Sequence, residues 1–231
     1  MLSSSLSSSC KLAAIGFSDG TINILDSTDM TLMSSINCES SPLCLHTVDD
    51  SVFVGTPTCI KIIPFGGDVL SVPTPGPVCC ITSVDDKIFL GTLTGKVGIF
   101  SRSSHQIESV AVLFGKVVDL CVSSSSLYVL GSDGKVYVLS LSQDQLSVTS
   151  VYNSDVQAEP LSLSCSDDFI GVTFVDGSAV LWNASSRQVF TTLKVSSNSK
   201  IGITKHGEVL FSNSEESVVY LIENGELVKQ E

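Results

Sequence analysis

The sequence predicts an all-β chain, a six-bladed β-propeller of four-stranded antiparallel blades, and three observations carry that expectation. An apolar run, a tight turn and a second apolar run recur six times: LAAIGFSDGTINILD, SVFVGTPTCIKIIPF, KIFLGTLTGKVGIF, LYVLGSDGKVYVL, FIGVTFVDGSAVLW and EVLFSNSEESVVYLI. The turn glycines Gly20, Gly95, Gly134 and Gly177 stand 75, 39 and 43 residues apart, two repeats and then one each. The runs are short and rich in Val, Ile, Leu and Phe, and repeats of roughly 40 residues built from strands alone are the pattern of propeller blades.

Cutting at 1–37, 38–73, 74–112, 113–153, 154–195 and 196–231 leaves six units and no remainder, so residues 1–231 are expected to form a single domain. Each unit reads as four strands, A to D. In the third, A is Val78 to Ser83, B Lys87 to Gly91, C Lys96 to Ser101 and D Gln106 to Val112. In the fourth, A is Val117 to Val122, B Leu127 to Gly131, C Lys135 to Leu141 and D Leu146 to Tyr152. A sheet covered on both faces loses the alternation of a half-buried strand, and LYVLG and KVYVLSL are nearly continuous apolar runs of that kind. A blade with two apolar faces depends on its neighbours for stability.

The B to C turns contain Asp19-Gly20, Asp133-Gly134 and Asp176-Gly177 as structural turn residues. Asp-Gly suits a two-residue hairpin, which needs positive φ at its centre. Repeats two and six have TPT and NSEE instead, and looser or longer hairpins are expected there. The first unit opens on its strand A, and the last closes on a strand D at about Glu226 to Lys229. No strand is then left to interlock the first and last blades. Closure by face packing is expected, with a strand or blade supplied by a partner as the alternative.

The net charge of −12, with 12 Lys and Arg against 24 Asp and Glu, argues against direct nucleic-acid binding, which depends on cations meeting phosphates. An acidic surface steers basic partners instead. No apolar stretch is long enough to span a bilayer, and the start lacks the basic and apolar regions of a secretory signal. Cytoplasm or nucleus is the expected location. The cysteines, Cys10, Cys38, Cys44, Cys59, Cys79, Cys80, Cys121 and Cys165, show neither C-x-x-C nor paired histidines, so no metal site is expected. Free thiols fit a reducing compartment. Adjacent strand residues face opposite ways, so vicinal Cys79 and Cys80 read as core residues on two faces.

FSDGTINILD and FVDGSAVLWN bring the chain close to a known family: it resembles the WD-repeat propellers. Asp19 falls in the tight turn, Asp26 where that family's Trp-Asp pair ends, and Trp182-Asn183 match the pair with Asn in place of Asp. No Gly-His dipeptide occurs, so that family's His, Asp, Ser or Thr and Trp network is incomplete. The resemblance implies a rigid, noncatalytic scaffold that binds peptides or protein segments within a multiprotein complex. Nuclear-pore, coat and kinetochore subunits are among the forms it takes.

Acidic pairs recur at three A to B junctions: Asp49-Asp50, Asp85-Asp86 and Asp167-Asp168. These carboxylates would emerge on one propeller face as a broken acidic rim, suited to a Lys- or Arg-rich segment. Asp also favours turns simply by bonding its own backbone, and both readings stand. The opposite face would carry the B to C turns and the NSDVQAEP connection, Asn153 to Pro160, a second candidate surface. His46, His105 and His206 fall at different places in different repeats, and no nucleophile-base-acid set can be built from them. No cofactor is expected. A propeller hydrolase or dehydrogenase using converging carboxylates is the competing reading, against which stands the missing constellation.

Overall fold

The computed structural model describes residues 3–6, 12–113, 115–123, 126–140, 146–223 and 226–230. The chain divides into two compact units, Met1–Val117 and Val118–Glu231. The described regular structure is entirely β: six four-stranded antiparallel sheets, each built from four consecutive strands in sequence order.

In the first unit, β1–β4 are Ser3–Leu6, Leu12–Gly16, Thr21–Asp26 and Leu32–Asn37. The second sheet, β5–β8, is Cys44–Val48, Ser51–Gly55, Cys59–Pro64 and Leu70–Pro73, and the third, β9–β12, is Val78–Val84, Lys87–Thr92, Lys96–Ser101 and Gln106–Val112. Its cores lie between consecutive sheets because alternate side chains of one strand leave on opposite faces. Val52 and Val54 of β6 pack with Leu12, Ala14, Ile22 and Ile24 of the first sheet. Phe53, between them, packs instead with Ile88, Leu90 and Phe100 of the third.

The second unit repeats the scheme. Its fourth sheet, β13–β16, is Val117–Val122, Ser126–Gly131, Val136–Ser140 and Ser147–Tyr152. The fifth, β17–β20, is Pro160–Cys165, Phe169–Phe174, Ser178–Asn183 and Val189–Lys194, and the sixth, β21–β24, is Lys200–Ile203, Glu208–Ser212, Ser217–Glu223 and Glu226–Lys229. Val180 and Trp182 of β19 join Tyr128, Val138 and Tyr152 of the fourth sheet. Ala179 and Leu181 of the same strand join Ile201, Val209 and Phe211 of the sixth. Both faces of the fifth sheet are thus buried, which is why FIGVTF and SAVLW lack polar alternation. The fourth strand of each sheet is an edge, and in β4 and β20 exposed and half-buried residues interleave.

Strands β11, β12, β13 and β24 start and stop where the repeat places them. The expected third strand of the fourth sheet shortens to Val136–Ser140, and Leu141 lies outside the described residues, as does Cys10.

The turns differ from expectation in an instructive way. At the Asp-Gly sites the connection is a three-residue loop: Gly20 N–H donates to Phe17 O at 3.1 Å and Phe17 N–H to Thr21 O at 2.9 Å, with the same pair at Gly134 and Gly131. Only the glycine has positive φ, at +90°, +77° and +81° for Gly20, Gly134 and Gly177. Each Asp instead accepts the backbone N–H two residues on, at 2.9 Å for Asp19, 3.2 Å for Asp133 and 2.9 Å for Asp176. This is a tight turn followed by a left-handed glycine, the three-residue hairpin.

Repeats two and six, expected to be looser, are tighter. Thr56 N–H donates to Cys59 O at 3.0 Å and Asn213 N–H to Glu216 O at 3.0 Å, leaving two residues in each loop. Without a glycine to take the extra position, side chains close the turn. Thr56 Oγ1 accepts Cys59 N–H at 3.1 Å, and Asn213 Oδ1 accepts the N–H groups of Glu215 and Glu216 at 2.8 and 3.0 Å.

The left-handed glycines also seat the next segment. The residue after the fourth strand donates its N–H to the turn glycine's carbonyl, Cys38 to Gly20, Leu113 to Gly95 and Val195 to Gly177, each at 2.8 Å. A Cβ on Gly95 would lie 2.2 Å from Gly115 O, and one on Gly177 would lie 2.3 Å from Val195 O. The Asn153 to Pro160 connection docks the same way, with Ser154 Oγ donating to Gly134 O at 3.3 Å.

Candidate functional site

All six predicted rim carboxylates are exposed and lie in connections between first and second strands. Asp49-Asp50 and Asp85-Asp86 form two-residue links, bracketed by the pairs Val48 with Ser51 and Val84 with Lys87. Asp49 and Asp85 both adopt φ of +50°, which Asp tolerates better than most side chains. Asp167-Asp168 is closed by Ser166, whose N–H donates to Phe169 O at 2.8 Å and whose Oγ accepts Phe169 N–H at 3.1 Å. Four of these carboxylates belong to the first unit and two to the second.

In an antiparallel meander the links from first to second strand and from third to fourth strand emerge at the same end, and backbone bonds tie them together here. Phe65 N–H donates to Asp50 O and Ala184 N–H to Asp168 O, both at 2.8 Å. The third-to-fourth links are ordered locally. Asn183 Oδ1 accepts the N–H groups of Ser185 and Ser186 at 3.2 and 2.8 Å, and Asp26 Oδ1 accepts Thr28 N–H at 2.8 Å. Met30, His105 and Arg187 end these links in the left-handed region, at φ of 60°, 55° and 61°. Asp26 and Asn183, the two positions matching the end of the Trp-Asp pair, therefore act here as turn caps.

At this end of the first unit a groove of about 610 Å³ opens between the second and third sheets. Phe53, Ile62 and Leu70 form one wall and Phe100 the other. Phe53 meets Phe100 edge to face at 6.3 Å, and His105 stacks on Phe100 at 6.5 Å with the rings 15° apart. Asp68 stands at the mouth from the second sheet and Asp86 from the third, and Arg102 and Ser103 complete the rim. Arg102 is already engaged, its Nη1 lying 2.6 Å from Asp49 Oδ2. In the second unit a smaller groove of about 260 Å³ occupies the corresponding place between the fourth and fifth sheets, lined by Tyr128, Tyr152, Asp167 and Arg187 among others.

The sequence marked Asp86 and Asp167 but missed the grooves, Asp68 and Arg102. These come together through sheet-to-sheet packing, across separations that no local motif records. His46 is half-buried, with Nε2 2.8 Å from Ser83 Oγ on the next sheet. His206 is exposed. Trp182 is buried edge to face against Tyr152, at 5.9 Å.

Cys79 and Cys80 correct an expectation. They do not project to opposite faces: their Sγ atoms lie 4.0 Å apart. The register jumps from Cys80 opposite Gly91 to Val78 opposite Thr92, leaving Cys79 as the extra residue of a β-bulge. A bulge breaks strict alternation and re-aims the side chain. Among the described residues no group of three or more His, Cys, Asp or Glu is placed to hold a metal ion. No helix there is long and apolar enough to cross a membrane.

No family model matches the sequence, and no curated protein matches it either. Solved structures do. The β-propeller domain of Cps50 (Swd1) from Myceliophteria thermophila superposes with a TM-score of 0.79 at 11% identity, covering 93% of this chain and 79% of that one. The computationally designed protein Ika8 gives a TM-score of 0.77 at 17% identity, covering 98% and 72%. At such identities the likeness establishes the fold, a β-propeller with six four-stranded antiparallel blades. It carries no chemistry with it.

Proposed function

We propose that the chain is a noncatalytic, WD-repeat-like scaffold, residues 1–231 working as one domain, that docks a segment of another protein. It would do so as a subunit of a hetero-complex in the cytoplasm or nucleus. The docking surface is carried by the acidic turns, Asp49, Asp50, Asp85 and Asp86 in the first unit and Asp167 and Asp168 in the second, and the favoured segment is basic or of mixed charge. What supports this reading is one arrangement: exposed carboxylates and an apolar, aromatic-walled groove share the same end of the second and third sheets. Apolar anchors beside polar rims are how protein segments are held. The −12 charge adds long-range attraction for basic partners.

Proximity labelling with cross-linking mass spectrometry in cells tests the proposal. A stoichiometric protein partner, cross-linked to the acidic turns or the links beside them, is the expected result. Recovery of the chain without a partner, or turnover across a hydrolase and dehydrogenase panel that is lost on replacing carboxylates, would overturn it.

A further inference from the structure

The groove between the second and third sheets has the chemistry to choose its occupant, and the inference drawn from it rests on the scaffold reading above. We propose that it receives a peptide segment carrying one large apolar side chain with a Lys or Arg beside it. The floor accounts for the apolar anchor. Phe53, Phe100 and Ile62, all buried, form a firm apolar base, over which half-buried Leu70 and exposed Val69 offer hydrocarbon and exposed His105 offers a ring stacked on Phe100. The wall is held from both sides. Phe53 and Phe100 belong to one buried cluster, and His105 is fixed by its own N–H, which donates to Ser101 O at 3.0 Å.

The mouth accounts for the cation. Asp68 and Asp86 approach from the two sheets, and no ion pair among the described residues engages either one. The one nearby guanidinium, Arg102, is turned to Asp49, so the mouth keeps a net negative charge. A carboxylate with room beside an apolar floor favours a ligand whose alkyl stem covers hydrocarbon while its charged head stays at the rim. The link from β7 to β8 adds apolar surface next to the opening, with Phe65 49% and Val69 41% exposed. Anionic ligands such as phosphodiesters or lipid headgroups meet carboxylates here and are disfavoured.

The test uses the full chain and an array of short peptides in a Gly-Ser frame, with Leu, Phe, Ala or Glu at the centre and Arg, Lys, Ala or Glu beside it. Fluorescence polarisation then follows the best binder. Peptides joining Leu or Phe to Arg or Lys are expected to bind best. Asp68→Asn and Asp86→Asn should each weaken them roughly tenfold, since each removes a charge-assisted contact. Val69→Ser should weaken them less, and Glu215→Gln and Glu216→Gln, on the turn from β22 to β23, should leave them unchanged. All five substitutions fall on exposed residues, so folding is retained and is checked by thermal melts.

If binding is lost with Asp167→Asn and Asp168→Asn but survives Asp68→Asn and Asp86→Asn, the groove is wrong while the scaffold reading stands. If acidic or purely polar peptides bind equally well, or no peptide binds at all, the proposed selectivity is wrong. The scaffold reading then rests on the cross-linking result alone.

Discussion

Asp119 on β13 accepts the backbone N–H of Leu163 on β17 at 2.9 Å, fastening the first strand of the fourth sheet to the first strand of the fifth. Its other oxygen accepts the N–H of Leu120 at 2.9 Å. The next first strand is tied in the same direction, with Ser164 Oγ accepting Ile203 N–H at 2.9 Å. A side chain thus satisfies a donor on a strand edge that has no ladder partner on that side, and packing between sheets gains a directional contact.

Removing the Asp119 carboxylate leaves both donors without it, and Asp119→Ala is expected to destabilise by about 1–3 kcal/mol. Urea unfolding read by Trp182 fluorescence measures this, and an unchanged midpoint would contradict it. Burial pushes the Asp119 pKa up, against its hydrogen bonds and Lys200, which pull it down. The native state therefore holds that proton longer than the unfolded chain, and this carboxyl's contribution falls as pH rises from its unfolded value of 3.8 through the raised one.

His46 has the opposite pH signature. Burial holds its pKa below the ordinary 6.5, so the unfolded chain takes up the proton first as the solution is acidified. Its stability contribution is complete above pH 6.5 and is lost as pH falls below that value. His46→Gln keeps a polar neutral group opposite Ser83 and should flatten the slope. Denaturant midpoints either side of that pH, compared between the two proteins, decide the point; equal slopes would refute it.

Gly95→Ala and Gly177→Ala should be costly. Each puts a Cβ at positive φ, worth about 1–2 kcal/mol, and drives it into a backbone carbonyl 2.2 or 2.3 Å away. Gly202→Ala, where no atom lies within 4 Å of the added carbon and no positive φ is required, should be close to neutral. Thermal melts of the three variants should rank accordingly.

Trp182→Ala should cost about 3–5 kcal/mol, the range for emptying a large aromatic site in a packed core. Trp182→Phe keeps a ring against Tyr152 and should cost much less. Similar losses for the two would mean that the indole does not fill the space between the fourth and fifth sheets.

How much of this was legible in the sequence follows from how local each determinant is. Strands such as Lys96–Ser101 and Glu226–Lys229 were readable because apolar composition and turn residues lie within a few positions of each other. The shape of the turns was only half readable. Asp-Gly signals reversal in both hairpin types, and whether Asp spends its side chain on the next backbone amide is set by geometry. The bulge at Cys79 carries no glycine to announce it. The groove was hidden for a further reason: Phe53 and Phe100, Asp68 and Asp86 meet across sheets, and their strands look like every other strand in the repeat.

The central claim is that the end bearing the acidic turns of the second and third sheets is where a partner segment docks. Hydrogen-exchange mass spectrometry on the full chain, with and without the best Leu–Arg or Phe–Arg array peptide, addresses it directly. Slowed exchange confined to the segments around Asp49–Ser51, Pro64–Leu70, Asp85–Lys87 and Phe100–His105 is the result expected. Protection centred instead on the turns at Gly20 and Gly95 and the Asn153 to Pro160 connection, with the acidic turns unaffected, would contradict the account.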